Sequence, residues 1–212
     1  MGAKREYYFG RLIASFFIAS AIFGAIFLFS YGISYFNYTH VRSQNTFIES
    51  NLALLERTLS NLSCSDEDLP ASSFRLDEVG RYIALLENRL DKSDARVIHE
   101  KKLYNQMQLK HFTIIRELNQ RCDSRFEPIL FFYSNDDGII EQSQQMGELV
   151  YAFKKRDSDR IMVYSFDVSL NDSLVANLAD TYSVQNVPSV VLNEREQFAP
   201  YNLDQLIPYL TR

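Results

Sequence analysis

Pro128-Ile129-Leu130-Phe131-Phe132-Tyr133-Ser134 runs directly into Asn135-Asp136-Asp137-Gly138-Ile139-Ile140-Glu141-Gln142. The first stretch is an unbroken apolar run, rich in aromatic and branched side chains, opened by a proline and closed by polar residues. A strand buried on both faces loses the in–out alternation of a half-exposed one, so this pattern predicts a central strand. The second stretch reads as a turn leading into a helix. In α/β sheets the loop leaving the end of a central strand is where ligands and reactive groups gather. How this loop is equipped therefore decides how the chain is read.

Working outward, strands and helices alternate from residue 126 onward. A helix is expected over 141–156, with Met146, Leu149, Val150 and Phe153 on one face. A second apolar strand follows over 160–167, then a helix over 173–182 with Leu174, Val175 and Leu178 turned inward. Pro188 introduces a strand over 189–193, residues 197–201 read as a short edge strand, and 203–210 as a closing helix. That order implies a parallel pair joined by a crossover helix, followed by an antiparallel hairpin.

Upstream, residues 41–121 are helical in character. Three segments separate at their breakers. The first, 41–62, continues the preceding apolar helix or stands apart from it, and it stops at an acidic loop ending in Pro70. The second, 73–90, has Ser72 or Ser73 as its candidate N-cap. The third starts at Ser93 or Asp94 and runs to about residue 120. Its apolar stripe takes in Val97, Tyr104, Met107, Ile115 and Leu118, while Arg96, Glu100, Lys101 and Lys102 read as a solvated face. Short loops make successive helices antiparallel.

No charged residue occurs from Leu12 to Thr39, and about 20 apolar residues suffice to cross a bilayer. Tyrosines lie at both ends of the stretch, where interfacial aromatics belong. The run is too long for the apolar core of a cleaved signal peptide, which is the competing reading. Lys4, Arg5 and Arg11 precede the span, whereas only His40 and Arg42 closely follow it, so the positive-inside rule puts the N-terminus in the cytoplasm and the rest outside. The expected organisation is a cytoplasmic N-terminus and membrane helix (1–40), an all-α stalk (41–122) and an α/β domain (123–212).

The two cysteines, Cys64 and Cys122, then face an oxidising compartment. The antiparallel helix order also brings them to one end of the helical region, which predicts a disulfide between them. Sequons at Asn37, Asn61 and Asn171 become candidates for glycosylation, with Asn37 too close to the membrane for use. A net charge of −5 leaves no basic footprint for nucleic acid. His99 and His111 lack partners at metal-ligand spacing. No catalytic triad or phosphate loop appears, and no cofactor is expected.

The segment Tyr182-Ser-Val-Gln-Asn-Val-Pro-Ser-Val-Val-Leu192, together with Val163-Tyr-Ser-Phe-Asp167 and the element order, resembles the thioredoxin superfamily over residues 126–212. The resemblance implies a thioredoxin-like fold with a cis Val187–Pro188 bond facing the redox motif. In redox-active members a Cys-x-x-Cys pair opens the first helix. Here its place falls at Asp137 and Ile140, or at Ile139 and Gln142, and neither choice supplies a thiol. Asp136 and Asp137 read as helix caps. The resemblance further implies a peptide groove formed by Val187, Pro188, Ser189, Asp137, Gly138, Ile139 and Ile140, with Val187 pairing through its main chain.

The leading expectation is a membrane-anchored, redox-inactive module that binds or scaffolds another envelope or membrane protein, taken as an extended peptide. A purely structural cap with an empty groove is compatible with the same residues. The alternative is a membrane-bound thiol–disulfide oxidoreductase using Cys64 and Cys122, which requires Cys122 to approach the Pro188 loop.

Overall fold

The computed structural model describes residues 2–61, 64, 68–122, 124, 126–192, 194, 196–200, 202–206 and 208. They fall into two compact units, Met1–Phe47 and Ile48–Arg212.

The first unit consists of helix α1 (Gly2–Ser60), whose last residues, from Ile48, belong to the second. Nothing between the apolar stretch and residue 60 interrupts helical hydrogen bonding, so the segment expected over 41–62 continues the apolar helix rather than standing apart from it. Its window Ser15–Gly32 has a mean hydropathy of 1.8 and none of its residues is buried. Phe16, Phe23, Phe27 and Phe29 are among its open side chains. This one helix is long and apolar enough to cross a membrane.

The second unit adds α2 (Asp68–Leu90), α3 (Ala95–Arg121), β1 (Glu127–Tyr133), α4 (Ile140–Lys154), β2 (Ile161–Asp167), α5 (Ser173–Thr181), β3 (Ser189–Leu192) and β4 (Glu196–Phe198), ending in a 3-10 turn, Leu203–Gln205. Of the closing helix expected over 203–210, the described residues are 203–206 and 208, and Leu203–Gln205 form a 3-10 turn rather than an α-helix.

The N-cap expected at Ser72 or Ser73 is wrong. α2 starts at Asp68 and takes Pro70 into its first turn, where the missing N–H has no intrahelical acceptor to lose. At α3 the Asp94 carboxylate accepts from Arg96 N at 2.9 Å and caps the helix as the sequence suggested.

The sheet order is β2-β1-β3-β4. β1 pairs parallel with β2, while β1–β3 and β3–β4 are antiparallel, which is the expected crossover and hairpin. One face carries Ile129, Phe131, Ile161, Val190 and Leu192, packed with Met146, Val150 and Phe153 of α4. On the other, Phe112 of α3 meets Tyr164 edge to face at 5.5 Å, and Phe132 lies 5.7 Å from Phe166.

α3 does not stand apart as part of a stalk. It belongs to the same compact unit as the sheet and lies along β2, the outer strand. Gln108 binds the free edge as a strand would: its Nε2 donates to Ser165 O at 2.8 Å, and Ser165 N donates to its Oε1 at 2.6 Å. Asn119 does the same just before β1, accepting from Phe126 N at 3.0 Å and donating to Phe126 O at 2.8 Å. An exposed strand edge invites unwanted pairing, and Gln108 occupies that of β2 at Ser165. α2 packs on α3 closely enough that a Cβ on Gly80 would meet the Tyr104 hydroxyl at 2.8 Å.

His111 is buried at this seam. Its Nδ1 lies 2.8 Å from the Tyr164 hydroxyl and its Nε2 lies 3.1 Å from Ser73 Oγ, so a neutral ring satisfies both contacts. Burial lowers its pKa to about 4; Asp77 pulls upward and Lys154 downward. The unfolded chain, with an ordinary histidine near 6.5, binds more protons between these values. The stability due to the neutral ring is thus complete above about pH 6.5 and is lost as pH falls toward 4. Over that interval the protein should lose about 3 kcal/mol more than a His111→Gln variant, by urea titrations at successive pH values.

Candidate functional site

The C-terminal ends of β1 and β2, with the loops that leave them, form the candidate site. Ser134 and Ser143 set the first loop. Ser134 N donates to Ser143 Oγ at 3.2 Å, and Asp136 N donates to Ser134 Oγ at 3.0 Å. The Asp136 carbonyl accepts from both Ile139 N and Ile140 N at 3.2 Å, which turns the chain into α4. Gly138 sits at φ +91°, a conformation that favours glycine.

The expected capping by Asp136 and Asp137 does not occur. Ile139 occupies the N-cap position without a side-chain hydrogen bond, and both carboxylates point into solvent. Ser134 and Ser143, rather than the two aspartates, are the residues that shape the turn.

The Val187–Pro188 bond is cis, as the resemblance implied. Register places it beside the first loop: Phe132 pairs with Ser189, so the antiparallel β3 enters where β1 ends. Residues 187–188 and 134–140 thereby meet at one edge of the sheet. Asp137 and Gly138 are exposed, and Ile139, Ile140 and Val187 are half-buried. Pro188 is buried, and Ser189 is buried at 3% exposure with its Oγ lacking a hydrogen-bond partner. Ser189 thus points into the protein, because β3 is covered on both faces.

A buried ionic cluster underlies this edge. Lys101 Nζ of α3 donates to Asp167 Oδ2, the last residue of β2, at 2.6 Å, and to Glu87 Oε1 of α2 at 2.7 Å. Asn135 Nδ2, from the first loop, donates to the same Asp167 oxygen at 2.5 Å. Ser169 donates to Asp167 Oδ1 through its N at 3.0 Å and its Oγ at 2.5 Å. Lys92 Nζ holds Asn135 Oδ1 at 2.8 Å. Lys101 also lies 5.6 Å from the centre of the Tyr133 ring.

Burial opposes the charge on Lys101, but Tyr133 and Asp167 outweigh it and raise its pKa. Burial likewise works against ionised Asp167; the Lys101 charge and the hydrogen bonds from Lys101, Ser169 and Asn135 reverse this and hold its carboxyl below the usual range. Burial drives the Tyr133 phenol up to about 12 against the pull of Lys101. The cluster is a closed ion pair that ties α2 and α3 to the loops after β1 and β2.

The sequence reading assigned Lys101 and Glu100 to a solvated face. They are 4% and 2% exposed, because α3 is enclosed by the sheet edge and by other helices. Gln108, Asn105 and His111 are buried on α3 for the same reason. A polar stripe at helical spacing (Arg96, His99, Lys102, Gln106, Lys110, Thr113, Glu117) does face outward, and nothing in the spacing marks Glu100, Lys101 and Gln108 as the polar residues that are buried.

Cys64 and Cys122 form a disulfide with Cα atoms 5.3 Å apart. Cys122 caps the end of α3, just before β1 begins. The Pro188 loop flanks the other end of β1, about 20 Å away along a seven-residue strand. The approach required for the oxidoreductase alternative is absent. Asn61 is exposed, as is Asn171, whose carbonyl accepts from Lys102 Nζ at 2.6 Å. Asn37 lies within α1.

No protein-family model and no curated protein matches the chain. Among solved structures, one titled as that of a malarial protein is 16% identical, with 41% of this chain and 94% of that chain covered, at a TM-score of 0.34. The germline-specific thioredoxin Deadhead of Drosophila melanogaster is 18% identical, with 47% and 91% covered, also at 0.34. Likenesses at that TM-score assign neither a family nor an activity.

Proposed function

We propose that the chain is a single-pass, membrane-anchored protein with its N-terminus in the cytoplasm, and that its thioredoxin-like α/β portion is an extracytoplasmic, redox-inactive module that binds or scaffolds a partner protein. The observation that carries this reading is the meeting of residues 134–140 with the cis Val187–Pro188 bond at one sheet edge, in a segment without a cysteine. The β2-β1-β3-β4 order supports the fold, and the apolar α1 window supports the anchor. Half-buried Val187, at the start of a turn, keeps main-chain groups near the surface. An extended segment of another envelope or membrane protein can pair with these without any thiol. Exposed Asn61 and Asn171 are the candidate glycosylation sites on the same side of the membrane.

Photocrosslinking tests the reading in the full chain in its own membrane. A photoreactive residue at Val187 should give a discrete set of adducts that a control at exposed Ser158, before the opposite end of β2, does not. Equal labelling from the two positions would overturn the groove.

A further inference from the structure

A second concave site lies away from the Pro188 edge. Helices α2, α3 and α4 and the β1–β2 face enclose a cleft of about 370 Å³, within the usual size range of small-molecule pockets. Its floor is apolar, formed by Phe131, Val150 and Val163. Gly147 of α4 leaves it open: a Cβ there would already lie 3.5 Å from the Phe131 ring, and any longer side chain would project into the space.

The rim is cationic, on a chain whose net charge is −5. Lys154 is engaged by Asp77 at 2.6 and 2.8 Å. Arg81 and Lys155 have no carboxylate partner among the described residues. Arg81 lies 5.9 Å from the Phe74 ring centre and Lys155 lies 4.5 Å from that of Tyr151. The Tyr104 hydroxyl, pressed against Gly80, lines the same cleft and makes no hydrogen bond to the described residues. An apolar floor, two cations without a carboxylate partner among the described residues and a hydroxyl without a hydrogen bond to them together form a complementary set.

We propose that this cleft binds a small amphipathic anion, with a flat or branched apolar body resting on Phe131, Val150 and Val163, and one carboxylate or phosphoryl group met by Arg81, Lys155 and the Tyr104 hydroxyl. Asp77 is the competing anion inside the site, so its removal should release Lys154 to the ligand.

The test uses the full chain in nanodiscs of zwitterionic lipid, with empty nanodiscs subtracted. Calorimetry compares 2-naphthoate, 2-naphthyl phosphate and the neutral 2-naphthamide. Both anions should bind, about tenfold or more tighter than the amide, and the stronger of the two identifies the head group. Gly147→Leu should abolish binding. Because that change could disturb α4, an Arg81→Gln/Lys155→Gln variant, altered at exposed positions only, gives an independent arm and should weaken both anions about tenfold. Asp77→Asn should tighten them. Equal affinity for anion and amide, wild-type affinity in the double variant, or no binding of either anion at about 1 mM would overturn the proposal.

Discussion

Replacing Lys101 with methionine should remove about 3–5 kcal/mol of stability, the typical cost of stranding one member of a buried ion pair. Methionine nearly fills the volume, so the loss comes from Asp167 and Glu87, which would keep buried charge without their cation. The pH dependence separates this from a packing defect. In the native protein Lys101 is raised and Asp167 lowered, so the stabilisation from Lys101 is present below its ordinary range near 10 and lost only as pH rises past it. That from Asp167 is present above the ordinary carboxylate range and lost as pH falls through its depressed value. Between those limits the wild type is insensitive to both groups. In the variant Asp167 no longer has the charge that holds its pKa down, so acid should protonate it and narrow the deficit below about pH 5. Adding Asp167→Asn should recover part of the loss at pH 7, since the amide keeps an acceptor for Ser169 without the charge. Urea titrations of the three proteins at pH 7 and pH 4.5 measure each term, and a deficit independent of pH would contradict the electrostatic account.

Removing the disulfide should have a comparable effect by a different route. The Cys64→Ser/Cys122→Ser variant opens a loop that spans 58 residues, and the chain-entropy estimate for closing it is about 4 kcal/mol. Domains of this size have only about 5–15 kcal/mol in hand, so the midpoint of unfolding should fall sharply. The cost arises in the unfolded chain, so the native circular dichroism should be unchanged at low denaturant. A loss under about 1 kcal/mol would show that the crosslink does not act as a staple.

These two effects also mark where the sequence was informative. The α/β order was legible because an apolar run such as 128–134 has few other uses, and Asp94 and the cysteine pair were legible because capping and chain direction are local or topological matters. The place of α3 was not. A periodicity argument sorts residues into one inner and one outer face, and it fails for a helix enclosed on several sides, where Lys101 is buried against Asp167 and Glu87, Gln108 against the β2 edge, and His111 against Tyr164 and Ser73. The loop after β1 was located correctly but explained by the wrong residues. Capping aspartates are a local pattern, whereas the Ser134–Ser143 contact exists only after α4 has folded back on β1.

In the proposed function, the place where residues 134–140 meet the cis Val187–Pro188 bond works without thiol chemistry, and Cys64 and Cys122 serve structure alone. Insulin reduction by the full chain in nanodiscs, with a dithiol reductant and a Cys122→Ser control, tests this most directly. Wild type and control are both expected to match the background rate. Turnover well above background in the wild type, lost in Cys122→Ser, would contradict it.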